Sequence, residues 1–467
     1  MDFRTEHDFL GELKIPGDAY YGVQTMRAVQ NFRISNGSIS QYPSLIRALA
    51  LVKKAAALTN AELGVLPAHI AKAICQACDD LLDGKLHDQF PVDTIQGGAG
   101  TSTNMNANEV IANRALEIMG HKKGEYEFCH PNNHVNCSQS TNDVYPTALR
   151  IALHQDLREL RRSMEYLQKG LARKGGEFAD VVKMGRTQLQ DAVPMTLGQE
   201  FSAYATTIGE DILRVREAGT LMLEVNLGAT AIGTGINTPA GYTRVVRDHL
   251  RSLSGLNVVT SENLIEATWD AGGYVQVSGV LKRIAVKLSK ICNDLRLLSS
   301  GPRTGISEIN LPRLQPGSSI MPGKVNPVIP EVVNQVCFDI IGKDVTVSLA
   351  AEAGQLELNV MEPLIAHCLF RAIERLQRAY VTLQDMCIEG ITANRERCYE
   401  LVVNSIGIVT NLVPVIGYEK ATLIARQALE SGRSVSDVAL EHKFLTKEQL
   451  EKLLSPESMT HPSRAHL

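Results

Sequence analysis

The run Gly317-Ser318-Ser319-Ile320-Met321-Pro322-Gly323-Lys324-Val325-Asn326-Pro327 sets two hydroxyls, an ammonium and an amide in one short segment. Three other segments repeat the theme: Thr101-Ser102-Thr103-Asn104, Ser138 with Ser140-Thr141-Asn142, and Thr187-Gln188. Small hydroxyls, amides and one lysine make a cage suited to carboxylates, which accept charge-assisted hydrogen bonds from such donors. The competing reading is that Ser, Thr and Asn only cap helices, since these segments precede helical stretches. Capping accounts well for any one of them. Four segments of the same chemistry favour a site.

Other constellations carry less. A phosphate-binding loop needs four residues between its glycines and Ser or Thr after the lysine. Here five separate Gly317 from Gly323, Val325 follows Lys324, and no strand pattern precedes them. Gly97, Gly98 and Gly100 lack the strand-turn-helix setting of a dinucleotide site. Cys75 and Cys78 form a Cys-x-x-Cys pair in an Ala- and Ile-rich helical stretch with no second pair, so they read as core thiols. Cys129, His130, His134 and Cys137 match none of the usual zinc spacings, and no metal site is expected there.

Long helices must position these segments. Val277, Leu281, Ile284, Leu288, Ile291, Leu295 and Leu298 recur at steps of four and three. So do Ile365, Leu369, Ala372, Leu376, Ala379, Leu383 and Met386, and the run Leu153, Leu157, Leu160, Met164, Leu167, Leu171. Phe201, Ala205, Ile208, Ile212, Val215, Gly219 and Met222 make a fourth seam. Each implies roughly 30 Å of helix. Gly279, Val280, Ala285 and Val286 lie outside the seam yet are small or apolar, as in a helix buried by several neighbours. A bundle of long helices is therefore expected, with partner subunits able to contribute to it. Segments 96–106, 136–143, 184–198, 226–242 and 300–327 read as polar, glycine-rich loops between helices. A shorter helical run (Leu45, Leu49, Val52, Ala56, Leu63) precedes them, and Pro414, Gly417 and Gly432 break the pattern near the end. The expected division is an N-terminal domain 1–140, a central long-helix bundle 141–393 and a C-terminal domain 394–467.

Composition narrows the partners. Apolar residues make up 44% of the 467, charged ones 21%, so a packed globular chain is expected rather than disorder. Lys and Arg number 47 against 51 Asp and Glu, which offers no basic excess for nucleic acid. No apolar segment approaches a membrane span, and the amino terminus has no secretory h-region. Nine cysteines are too dilute for a disulfide framework. These features point to a protein of a reducing compartment, the cytoplasm, with neither membrane nor nucleic acid as partner.

The run Gly317–Pro327 is similar to the signature of the fumarase/aspartase superfamily of lyases. Gly100-Thr101-Ser102 and Ser140-Thr141-Asn142-Asp143 resemble the two other regions shared by that superfamily. Gly185-Arg-Thr-Gln-Leu-Gln-Asp-Ala192 resembles a further segment. The likeness extends from Asp18-Ala-Tyr-Tyr-Gly22 to Asn404-Ser-Ile-Gly-Ile408. It implies a mostly α, three-domain fold with a central bundle of long helices. It also implies a homotetramer whose sites each draw loops from three chains. The implied reaction is reversible elimination of ammonia from L-aspartate to give fumarate. No organic cofactor is required, and activation by a divalent cation is allowed.

The resemblance also assigns roles. Ser318 is the expected base that removes the Cβ proton. The aci-carboxylate so formed needs preorganised donors; Thr101, Ser140 and Thr141 are expected to hold it, with Ser319 nearby. Lys324 and Asn326, assisted by Thr187, take the α-carboxylate, and Asn142 contacts the amino group. Gln188 occupies a point where fumarases and some relatives carry histidine. Expelling hydroxide from malate calls for a general acid, whereas an ammonium leaves as neutral ammonia without one. An amide at 188 therefore favours deamination. The alternatives are a class II fumarate hydratase, or a non-catalytic helical scaffold that has kept the fold.

Overall fold

The structure, a computed structural model, describes residues 2–461. Helix dominates it, as the periodicity requires. Five long helices span Thr141–Glu177, Leu197–Leu221, Gly272–Leu298, Val328–Glu352 and Glu362–Met386. The four apolar seams are buried along their lengths, with Met386 the exposed exception. Close packing on these stripes buries aliphatic surface worth roughly 25 cal/mol per Å². No single helix among the described residues is long and apolar enough to cross a membrane.

The chain divides into two compact units, each built from separate segments. The first comprises Met1–Arg161, Leu213–Arg283 and Phe338–Leu376. In it the Pro43–Glu62 helix packs against Ala68–Leu82 and Tyr242–Ser254, while Thr101–Ile118 packs on Ala68–Leu82. Ala48, Ala55 and Ala56 are fully buried, so close approach here rests on small side chains. An antiparallel hairpin, Phe3–Asp8 with Gly11–Pro16, sets Arg4 opposite Ile15 and Glu6 opposite Leu13. Glu109, buried in the Thr101–Ile118 helix, accepts the backbone N–H groups of Gly22, Gln24 and Thr25 at 2.8, 2.8 and 3.1 Å.

The second unit comprises Arg162–Ile212, Ile284–Cys337 and Gln377–Leu467. Strands Val182–Thr187 and Gln190–Thr196 form an antiparallel hairpin. Its apolar face, Val182 and Met184, packs with Val402, Ile408, Leu412, Ile424, Val438 and Leu450. This corrects the reading of 184–198 as a loop: two short strands with a polar tip leave too little alternation to register as a period. Likewise helix already begins at Thr101 and Thr141, inside segments read as loops. Their hydroxyl and amide side chains stand on the first turns of helices.

Candidate active site

In the first unit, Thr101 opens its helix behind a left-handed turn in which Gly98, Ala99 and Gly100 all have positive φ. Gly100 has no substitute here. At φ 89° a side chain is strained, and a Cβ would lie 2.5 Å from the ring of Tyr145. Thr101 is exposed on that first turn, and Asn104, one turn on, is buried. The Asn104 amide donates to Thr141 Oγ1 at 3.1 Å and to Asn136 Oδ1 at 3.2 Å. One asparagine therefore brings the Thr101 and Ser140–Asn142 segments together.

The second segment is held from below. Asp143 is fully buried and accepts the N–H groups of Ser140 at 2.9 Å and of Gly228 and Thr230 at 3.0 Å. Burial pushes its carboxyl upward, against those donors and the nearby Lys53 charge. Asn142 donates through Nδ2 to Ala231 O at 2.7 Å, which leaves its Oδ1 as the acceptor end. That end suits a substrate ammonium. Lys53, fully buried, donates to Asn136 Oδ1 at 2.9 Å and Gln139 Oε1 at 3.0 Å. Burial brings its pKa down to about 7. Asn60 completes the support, accepting from Ser138 Oγ at 2.7 Å and donating to Cys137 O at 2.9 Å.

In the second unit, Thr187 and Gln188 form the tip of the hairpin, both exposed. Gln188 and Leu189 have φ of 54° and 63°, a left-handed pair that costs non-glycine residues about 1–2 kcal/mol each. Thr187 pairs with Gln190, so these two residues are the hairpin's two-residue turn, in which φ > 0 at both positions matches the twist of the strands.

The Gly317–Pro327 loop closes on itself. Gly317 N–H donates to Lys324 O at 2.7 Å, and Asn326 Nδ2 donates to Gly317 O at 2.8 Å. A Cβ on Gly317 would meet Asn326 at 2.9 Å. Within this closure Ser318 Oγ accepts two backbone N–H groups, Ile320 at 3.2 Å and Met321 at 3.0 Å. Ser318 is half-buried, Ser319 and Lys324 are exposed. Lys324 and Asn326 line a cavity of about 600 Å³ together with Arg296, Ser300, Arg313 and Thr392. Lys324 is thus accompanied by two further cations, which sequence spacing did not reveal.

The expected residues fall into three groups: Thr101, Ser140, Thr141 and Asn142 at the starts of two helices in the first unit; Thr187 and Gln188 at the hairpin tip; Ser318, Ser319, Lys324 and Asn326 in the closed loop. The supporting residues Lys53, Asn60, Asn136 and Asp143 were missed. A usable signal existed for Lys53, a charge inside the apolar run Leu51-Val52-Lys53-Lys54-Ala55. As for metals, His130 N–H donates to His134 Nδ1 at 2.8 Å, and His130 Nδ1 accepts from Asn132 N–H at 3.0 Å. These ring nitrogens are spent on the turn. Among the described residues no group of three or more His, Cys, Asp or Glu side chains is placed to hold a metal ion, and all nine cysteines are free.

A family profile described as lyase matches residues 11–342, and one described as fumarase C C-terminus matches residues 408–461. The chain is 61% identical to an aspartate ammonia-lyase of Helicobacter pylori over 459 residues, 98% of each chain. It is 62% identical to one of Pseudomonas aeruginosa over 460 residues, 98% of this chain and 97% of that one. Among solved structures, a fumarate lyase:delta crystallin from Brucella melitensis bound to cobalt is similar at 55% identity and TM-score 0.97, over 99% of this chain and 100% of that one. A class II fumarase from Schistosoma mansoni is similar at 35% identity and TM-score 0.91, over 97% and 98%.

Proposed function

Because this chain belongs to the aspartate ammonia-lyase family of the fumarase/aspartase superfamily, we propose that it reversibly deaminates L-aspartate to fumarate and ammonia. The observation that carries the chemistry is Ser318 Oγ held by two backbone N–H groups in the loop that also bears Lys324 and Asn326. Serine is a poor base unless its alkoxide is stabilised. The N–H groups of Ile320 and Met321 are suited to hold that anion, and Lys324 adds positive charge in the same loop.

The steps then balance. Ser318 Oγ takes the Cβ proton, and the C–H electron pair moves into the β-carboxylate to form the aci-carboxylate. Thr101, Ser140 and Thr141, with Ser319, donate hydrogen bonds to that charge. The electrons return to close the Cα–Cβ double bond, and the C–N bond breaks with its pair leaving on nitrogen as neutral ammonia. Ser318 afterwards gives up its proton to solvent or product. Lys324, Asn326 and Thr187 bind the α-carboxylate throughout. Asn142 Oδ1 accepts from the substrate ammonium, and Gln188 binds without acting as an acid. No organic cofactor takes part, and no step runs through a metal.

Site residues dispersed over two helix starts, a hairpin tip and a loop support a site completed by different subunits of a homotetramer. The long helices support assembly too: Phe338, Val345 and Leu349 are exposed on one of them, and Val286 and Leu297 on another. Contiguous exposed apolar surface marks an interaction face. Nine free thiols suit a cytoplasmic setting. The test is an assay of purified protein with L-aspartate and L-malate side by side. Ammonia release with little hydration of fumarate is expected; malate turnover without aspartate turnover would overturn the reading in favour of a hydratase, and neither activity would leave a scaffold.

A further inference from the structure

Below the Thr187–Gln188 tip lies a buried ionic network that the steps above do not use. Glu308 is fully buried. Its two oxygens face two cations of the same strand: Arg186 Nη1 donates to Oε1 at 2.8 Å, and Lys183 Nζ pairs with Oε2 at 3.0 Å. Lys183, itself nearly fully buried, also pairs with Glu200 at 2.6 Å. Arg186 directly precedes Thr187, so the guanidinium anchor sits next to the residue that meets substrate. The backbone of Glu308 is fixed independently. Its N–H donates to Leu298 O and its carbonyl accepts from Asn394 N–H, both at 2.9 Å. Beyond it the chain runs through the short strand Ile309–Asn310 into the Gly317–Pro327 loop.

We propose that Glu308 is a positioning residue that holds the Thr187–Gln188 tip in place through Arg186. Several observations converge on it. The tip is a two-residue turn, Gln188 and Leu189, both left-handed and both exposed. The turn sets that backbone, but where the turn sits depends on what anchors the strand beneath it. A buried carboxylate hydrogen-bonded by Arg186 through Oε1, in ion-pair contact with Lys183 through Oε2, and anchored at its own main chain is a rigid point for the purpose. Glu308 never touches substrate; it sets where Thr187 meets the α-carboxylate. This assignment rests on the binding role given above to Thr187 and Gln188.

The test compares Glu308→Gln, Arg186→Gln and the double variant in the full chain, with Glu308→Asp as the form that keeps the charge. The expected result for Glu308→Gln is a rise of about tenfold or more in KM for L-aspartate, with kcat changed less, because misplaced binding groups lose affinity first. Arg186→Gln should match it, and the double variant should be no worse than Arg186→Gln alone. Glu308→Asp should recover part of the loss. Hydrogen exchange gives a readout free of the assay: peptides covering the tip should exchange faster in Glu308→Gln, with exchange in the long helices unchanged. A lowered melting temperature with wild-type KM and unchanged tip exchange would overturn the assignment and leave a structural ion pair. Additive KM effects in the double variant would overturn the route through Arg186. A wild-type protein that fails to turn over L-aspartate would sink the functional reading instead, and tip exchange would still decide whether Glu308 fixes the hairpin.

Discussion

Ser318 and Glu362 show how differently single residues matter in this chain. Ser318 stands in a surface loop, its Oγ ringed by the N–H groups of Ile320 and Met321. Ser318→Ala removes the proposed base and little packing. Turnover of L-aspartate should fall about a hundred- to ten-thousand-fold, with circular dichroism unchanged and stability within about 1 kcal/mol; steady-state kinetics beside thermal melts would show it. Unchanged turnover would remove Ser318 from the mechanism. Glu362 lies nearly fully buried in the first turn of its helix, and desolvation raises its pKa from 4.5 to about 8, with the Arg150 charge opposing. A carboxyl whose folded pKa is raised adds stability that is complete below pH 4.5 and lost as pH rises through about 8. Glu362→Gln keeps the shape and the neutral state, so its melting temperature should decline less than wild type between pH 5 and 8. Parallel melting curves would contradict that burial.

Elements decide whether such residues meet, and here Gly100 is the sharpest case. Its φ of 89° and the ring of Tyr145 2.5 Å from any added Cβ leave no room for alanine. Gly100→Ala should cost about 1–3 kcal/mol from overpacking, with about 1 kcal/mol more from the left-handed backbone. It should also raise KM for L-aspartate, since the turn it belongs to launches Thr101. Denaturant unfolding and a substrate titration test both effects, and a variant as stable as wild type would mean that Tyr145 yields. The long helices were legible because burial at a period of 3.6 writes itself into the order of apolar residues: from Val277 to Leu298 each seam position is buried. The candidate site loops were marked out by composition, a run of hydroxyls and amides with one lysine. The supports were not. Lys53, Asp143 and Glu308 find their partners far along the chain, 83 residues away for Lys53 and Asn136, and no local period marks such a pair. The hairpin at 182–196 was hidden for a related reason: its strands are short and its tip, Thr187 and Gln188, is polar on both faces.

At the scale of the molecule, the exposed apolar stripe on the Val328–Glu352 helix and the dispersal of site residues over four elements make one joint prediction. Phe338, Val345 and Leu349 are 60%, 58% and 65% exposed, spaced as positions on one face of a helix. If that face seats other copies of the chain, wild type should elute with light scattering near 200 kDa, about four times the 51.0 kDa chain. Val345→Asp should then release smaller species that keep helical circular dichroism and lose turnover, because a lone chain lacks the segments its neighbours supply. Complementation separates this from simple misfolding. Ser318→Ala and Thr141→Val chains are each expected to be nearly inactive alone. Co-expressed, they assemble mixed tetramers in which a site takes its Gly317–Pro327 loop from one chain and its Ser140–Asn142 segment from another. With random mixing about a quarter of the sites combine two intact segments, so activity should recover to about a quarter of wild type. Mixtures that stay as inactive as their parents would place both segments of each site in one chain, and the three-subunit site would have to be given up.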